Sequence, residues 1–161
     1  MSEQDNFKYT NPVQIILSER AVIDAAGLVV VLEGPARFIV GGEMEMSFVL
    51  RNPLKVPRSF CDYHTPFEGI RNDIFEVIDG NGNRVEYEGI MARRIKPSAS
   101  NFKTVPPRSY VRVLFDLSRG YSLRPGYYTV RFSGNGISGL PASDSITIEV
   151  TSDQPATPRK R

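Results

Sequence analysis

A cysteine, an aspartate and a histidine fall within four positions at Cys61, Asp62 and His64, the residue types from which a thiol nucleophile or a metal site could be assembled. A nucleophilic thiolate needs an imidazole within hydrogen-bond reach. A zinc site needs three or four convergent ligands. The whole chain contains one cysteine and one histidine, so neither arrangement can be completed from these types alone. The expectation is a loop thiol beside a solvated imidazole, with no catalytic residue, no metal and no cofactor. Asp116 with Ser118 is too poor in carboxylates for calcium. It reads instead as a turn in which Asp and Ser oxygens accept local N–H groups. Nothing pairs an acid with a base in a cleft, so the chain is expected not to be an enzyme.

Two segments carry recognition chemistry instead. Cys61 to Asn72 gathers Tyr63, Phe67 and Ile70 among Pro66, Gly69 and charged residues. Arg93, Arg94 and Lys96 form a basic loop ended by Pro97. These six are the candidate partner-binding residues, because loops held by a rigid scaffold are where sandwich proteins bind. The alternative for Phe67 and Ile70 is to plug the end of the core. For the basic trio it is to remain a solvated loop.

The elements that would position these loops are strands. Leu28 to Glu33 reads as the first strand, stopped by Gly34-Pro35, and Phe60 to Thr65 as a segment that pairs briefly before its loop. Glu43 to Leu50 alternates strictly, with Met44, Met46, Phe48 and Leu50 on one face, as a half-buried strand does. Asn52-Pro53 ends it, since proline cannot donate to a ladder. Ile74 to Ile78, the turn Asp79-Gly-Asn-Gly-Asn and Arg84 to Glu88 read as a hairpin, the glycines permitting positive φ. Tyr110 to Leu117, Tyr127 to Ser133 and Ser145 to Val150 complete the set, with residues 89–105 as a long connection. Pro125-Gly126 turns into a strand on which Tyr128 has the place of a corner tyrosine. Short alternating strands with regular Gly, Pro and Asn turns predict an all-β, immunoglobulin-like two-sheet antiparallel sandwich of seven strands. The domain reading is an N-terminal appendage over 1–27, the sandwich over 28–151 and a disordered basic tail over 152–161. Residues 12–26 carry helix punctuation (Asn11, Pro12, Gly27) but a β-branched start, so helix and strand both stay open there.

Composition bounds the function classes. At 161 residues the chain can bury a core without disulfides, and one cysteine permits no intrachain bridge. A reducing compartment, the cytoplasm, is the mild expectation. The polar start Met1 to Asn6 does not read as a signal peptide, and no apolar run suffices for a membrane span. Residues 1–83 carry 7 Lys/Arg against 12 Asp/Glu, whereas residues 84–131 carry 10 against 3, so one sheet face could be basic. Nucleic-acid binding would require exposed aromatics interleaved with those cations. Alternation turns most aromatics inward, and no nucleic acid is expected.

Phe38 to Val150 resembles the β-sandwich domain that precedes the catalytic domain of lysine-specific, deuterolysin-like zinc metallopeptidases. The likeness rests on Gly42-Glu43 to Asn52, Thr65-Pro-Phe-Glu-Gly, Asp73-Ile-Phe-Glu-Val, Asp116-Leu-Ser with Tyr121, and Pro125-Gly-Tyr-Tyr-Thr-Val, in that order. The family's His-Glu-x-x-His zinc motif has no counterpart, the chain having one histidine. The resemblance implies the accessory sandwich without the protease. A looser similarity, through the same alternating strand, the Phe-Glu-Val-x-Asp strand and the late Pro-Gly-x-Tyr, is to intracellular proteinase inhibitors of sandwich fold. The functional expectation is a non-catalytic protein-binding module, protease-associated and acting through end loops. The alternative is a structural or assembly subunit that self-associates through sheet edges.

Overall fold

The computed structural model describes residues 22–152; the first 21 residues, with most of the helix-or-strand segment, and the basic tail from 153 lie outside the described residues. Nine strands are present among the described residues: β1 (Val29–Glu33), β2 (Arg37–Ile39), β3 (Glu45–Asn52), β4 (Arg58–Cys61), β5 (Phe75–Asp79), β6 (Phe102–Val105), β7 (Ser109–Asp116), β8 (Gly126–Phe132) and β9 (Ile146–Thr151). They form one sheet ordered β1-β3-β7, a second ordered β2-β9-β8-β5, and a short β4-β6 ladder. The architecture is the all-β sandwich that the alternation implied.

Its core follows from the period of two. Met44, Met46, Phe48 and Leu50 are all but fully buried. They meet Phe75 and Val77 of β5, Val130 and Phe132 of β8, and Ile148 and Val150 of β9 in one cluster. Phe48 packs edge-on to Phe132 at 4.9 Å, and Phe75 stacks on Phe115 at 4.9 Å, so aromatic pairs join the two sheets. Each such side chain contributes roughly 1.5–3 kcal/mol on burial.

Three readings need correction. The strand count is nine, because Arg58–Cys61 pairs with Phe102–Val105: the brief pairing read at Phe60 to Thr65 lies earlier and ends at Cys61, and its partner falls inside the long connection. The pairing is long-range and only four residues long, so neither partner shows a period of its own. Arg84 to Glu88 does not return as a strand; its backbone meets β5 through one bridge, Ile78 to Arg84, and one bond, Val85 N–H to the Val77 carbonyl at 2.8 Å, with the Arg84 side chain reaching the Phe75 carbonyl and Glu76. The chain peels away because Tyr87 packs its ring on Tyr121 at 5.5 Å, while the Glu88 N–H donates to Gly120 at 2.8 Å. Finally, the sandwich is not wholly antiparallel, since β2 runs parallel to β9. After Gly34-Pro35 ends β1, the chain crosses to the other sheet and pairs with β9 there.

The turn chemistry is as the residues suggested. Asp79 Oδ1 accepts from Asn81 N at 2.8 Å and Asn83 N at 2.9 Å, and Gly82 supplies φ of 86°. Tyr128 donates its hydroxyl to the Arg124 carbonyl at 2.7 Å, four residues upstream. Asp116 Oδ1 accepts from Met44 N, Ser118 N and Ser118 Oγ at 2.9, 3.0 and 2.6 Å. Burial opposes ionisation of Asp116, but the Ser118 and Met44 bonds outweigh it and hold the carboxyl below its ordinary value. Asp24 exchanges two backbone bonds with Ser59, each 3.0 Å, so the described end of the N-terminal appendage is stitched to β4.

Candidate functional site

The two loop segments singled out in the sequence meet in space. Pro66–Glu68 forms a single 3-10 turn capped by Thr65, whose Oγ1 accepts from Phe67 N at 3.0 Å and donates to the Asp62 carbonyl at 2.8 Å. That turn drives Phe67 inward, 5.8 Å from Phe48 and 5.3 Å from Phe60 between ring centroids. Phe67 is itself partly buried, whereas Tyr63 and Ile70 are buried. These three candidates therefore close the end of the core and offer a partner little surface.

Arg94 is likewise committed. Its guanidinium lies 4.4 Å from the Tyr63 ring centroid and pairs with Glu68. The other Glu68 oxygen accepts from the His64 N–H at 2.8 Å. Arg94 thus fastens the segment 89–97 to the capped turn. Further ties act on the same segment: Ala92 N–H donates to the Arg71 carbonyl at 2.9 Å, and the Tyr87 hydroxyl donates to the Ile90 carbonyl. Gly89 is required at the entry, because a Cβ there would lie 2.7 Å from the Arg119 carbonyl oxygen. Ser98 N–H, donating to Asn101 Oδ1 at 3.0 Å, secures the exit.

Between these ties the loop shows solvent three large apolar side chains, Ile90, Met91 and Ile95, at 57%, 68% and 79% exposure. Arg93 and Lys96 stand exposed beside them. Arg93 and Lys96, of the six sequence candidates, share this exposed surface; Arg94 is its fastening and Tyr63, Phe67 and Ile70 its foundation. The sequence reading missed Ile90, Met91 and Ile95, because in an irregular segment no period separates exposed from buried. The available signal was three large apolar residues in a stretch bounded by Gly89 and Pro97 with no alternation to bury them.

Cys61, Asp62 and His64 are held apart in role. Asp62 takes Lys103 Nζ at 3.0 Å and Asn101 Nδ2 at 3.3 Å. His64 sits at φ of 60° with its carbonyl accepting from Asn135 Nδ2 at 3.1 Å. Cys61 has no exposed surface, and burial pushes its thiol above the ordinary value, with the neighbouring Asp62 and Glu68 charges adding to the effect. A neutral, enclosed thiol is a poor nucleophile. Iodoacetamide is expected to leave Cys61 unmodified in the native protein and to alkylate it rapidly in denaturant. Native-state alkylation read by mass spectrometry, at a rate matching a free thiol, would disprove the enclosure.

No family model matches the chain, and no curated protein matches it in sequence. Among solved structures it is similar to a β-glucosidase from Listeria innocua in complex with gluconolactone, at 14% identity and a TM-score of 0.38. That match covers 78% of this chain and 16% of the other, so the chain spans a small part of the glucosidase's length.

Proposed function

We propose that this chain is a non-catalytic protein-binding module whose contact element is the loop 89–97. The observation that carries the reading is the combination of exposed Ile90, Met91 and Ile95 with a backbone tied at Ile90, Ala92 and Ser98 and an Arg94 side chain held by Glu68. Exposed apolar side chains gain free energy when a partner covers them, and a loop already held in place loses little entropy on binding. Arg93 and Lys96 favour an acidic rim on that partner. Within this reading a protease is the partner class placed first, supported by the resemblance of Phe38 to Val150 to protease-associated sandwich domains.

A second reading, an assembly subunit joining through a sheet edge, draws on β7. This eight-residue strand ends its sheet, with β3 its hydrogen-bonded neighbour among the described residues. Long edges are templates for strand addition.

A pull-down from native lysate with the full chain and an Ile90→Ser/Met91→Ser/Ile95→Ser variant distinguishes the two. The loop reading expects a specific protein whose affinity falls at least about tenfold in the variant, equivalent to about 1.4 kcal/mol, with an unchanged thermal melt. A partner bearing a protease domain, inhibited by the wild-type chain alone, supports the finer assignment. A partner retained equally by the variant would sink the loop reading and favour the edge.

A further inference from the structure

The tripeptide Gly-Asn-Gly occurs at Gly80-Asn81-Gly82 and again at Gly134-Asn135-Gly136. An asparagine before glycine carries a latent reaction. The next backbone nitrogen can close on the asparagine's carboxamide carbon, because a glycine has no Cβ to obstruct the approach. With the same neighbours on both sides, the two sites react at similar rates in an unfolded chain. A difference between them in the native protein is therefore set by the fold.

The fold holds them differently. Asn81 is exposed at the tip of the turn after β5, and its carboxamide bonds to nothing among the described residues. Asn135 is half-buried, and its carboxamide is engaged at both ends. Its Oδ1 accepts from Ser138 N at 2.8 Å, and its Nδ2 donates to the His64 carbonyl at 3.1 Å. The Asn135 backbone is fastened too, its N–H to the Leu140 carbonyl and its carbonyl to the Gly139 N–H, both at 3.1 Å. Space around the glycines does not distinguish the sites, since nothing lies within 4 Å of where a Cβ would stand on Gly82 or Gly136. The Gly82 N–H must first release the Asp79 carbonyl, which it meets at 3.0 Å. That bond lies in an exposed turn, where local opening costs little. Turning the Asn135 carboxamide breaks two bonds in partly buried surroundings, where an unmade bond costs more.

We propose that Asn81 is a site of slow deamidation through a succinimide in the native protein, and that the fold protects Asn135 from the same reaction. Hydroxide removes the Gly82 amide proton, and the nitrogen attacks Asn81 Cγ. As that C–N bond forms, Nδ2 departs as ammonia and a five-membered ring closes. Water then opens the ring. Addition at Cγ gives aspartate, and addition at the former backbone carbonyl gives isoaspartate, in which the main chain runs through the side chain. The net change is amide plus water to carboxylic acid plus ammonia, with no redox step. On ionisation it lowers the formal net charge of +2 by one. The product disturbs the turn, because Asp79 Oδ1 holds both the Asn81 and the Asn83 N–H. Isoaspartate inserts a methylene into the main chain between those two donors, and either product sets a second carboxylate near that of Asp79. This inference is independent of the loop 89–97.

Incubating the full chain at mildly alkaline pH, native and in guanidinium chloride, tests it, with each site followed by peptide mass spectrometry. In denaturant the two sites should convert at similar rates. In the native chain Asn81 should convert at least about tenfold faster than Asn135, whose carboxamide is held by hydrogen bonds. Wild type should accumulate an acidic species on ion exchange. Asn81→Gln, whose longer side chain closes a ring far more slowly, should not, while keeping the wild-type thermal melt. Equal conversion of the two sites in the native chain, or Asn135 converting first, would overturn the proposal. So would a native Asn81 that stays intact while the denatured chain converts fully.

Discussion

Phe67→Ala is expected to lower the unfolding free energy by about 2 kcal/mol, below the range for a fully buried ring because Phe67 packs on the core while staying partly exposed. Phe67 is pinned between Phe48 and Phe60 by the capped turn, and Thr65, whose hydroxyl holds its N–H, is itself fully buried. Relaxation closes such a site only in part, because the neighbouring rings belong to different strands, β3 and β4. For a domain of this size the loss corresponds to roughly 6 °C in Tm. Calorimetry or chemical denaturation checks it, and the comparison with the loop variant is the informative one. Serine at Ile90, Met91 and Ile95 should leave Tm within a degree or two of wild type, since surface changes cost little. If Phe67→Ala also left Tm unmoved, the ring would not be part of the core, and the assignment of the end loops to foundation and contact surface would fail.

Asn52→Ala is expected to cost about 2–4 kcal/mol, although it removes only an amide at the end of a strand. Asn52 is almost fully buried. Its Nδ2 donates to the carbonyls of Val56, Val105 and Pro106 at 2.8, 3.1 and 3.2 Å, and its Oδ1 accepts from Leu54 N at 3.0 Å. One side chain therefore joins the loop after β3 to the connection between β6 and β7. Alanine would leave these backbone groups without a partner where water enters poorly, and an unmade buried bond costs more than a made one gains. Asn52→Asp is the sharper variant. It keeps the acceptor for Leu54 but places a carboxylate against three carbonyl oxygens, so it should be at least as destabilising as alanine near neutral pH and recover in part on acidification, when the carboxyl is protonated and can donate. Urea denaturation at two pH values reads this. An aspartate variant as stable as wild type at neutral pH would show that the amide's donor role is dispensable.

The fold was legible wherever the information was local. Met44 to Leu50 announces its buried face by alternation, Asp79 to Asn83 announces its turn by side chains that bond their own backbone, and Tyr128 announces its corner by following Pro125-Gly126. Of the β4-β6 ladder only a brief pairing near Phe60 was legible, because four-residue strands paired across about forty positions carry no period of their own. The departure of Arg84 to Glu88 from β5 was hidden for a related reason. Its alternation is sound, but the pull of Tyr87 onto Tyr121 comes from a residue far along the chain. At the site, the sequence located the two relevant loops and several of their residues. It could not distinguish Arg94, which is spent on Glu68 and Tyr63, from its neighbour Arg93, which is not.

Charge shows where the boundary lies. The sequence alone determined that the first half of the chain is acidic and the stretch 84–131 basic, together with strand periodicity and the placing of turns, because these depend on residues close in the chain. Only the tertiary structure decided what that asymmetry does. Arg84 meets Asp73 and Glu76, Arg131 meets Glu76, Arg94 meets Glu68, and Lys103 meets Asp62, so much of the basic stretch is spent across strands on the acidic half. Which apolar residues stay outside was decided at the same level. Ile70 is buried and Ile95 is exposed, although both are isoleucines in polar loops, because burial depends on what the rest of the chain brings to each position.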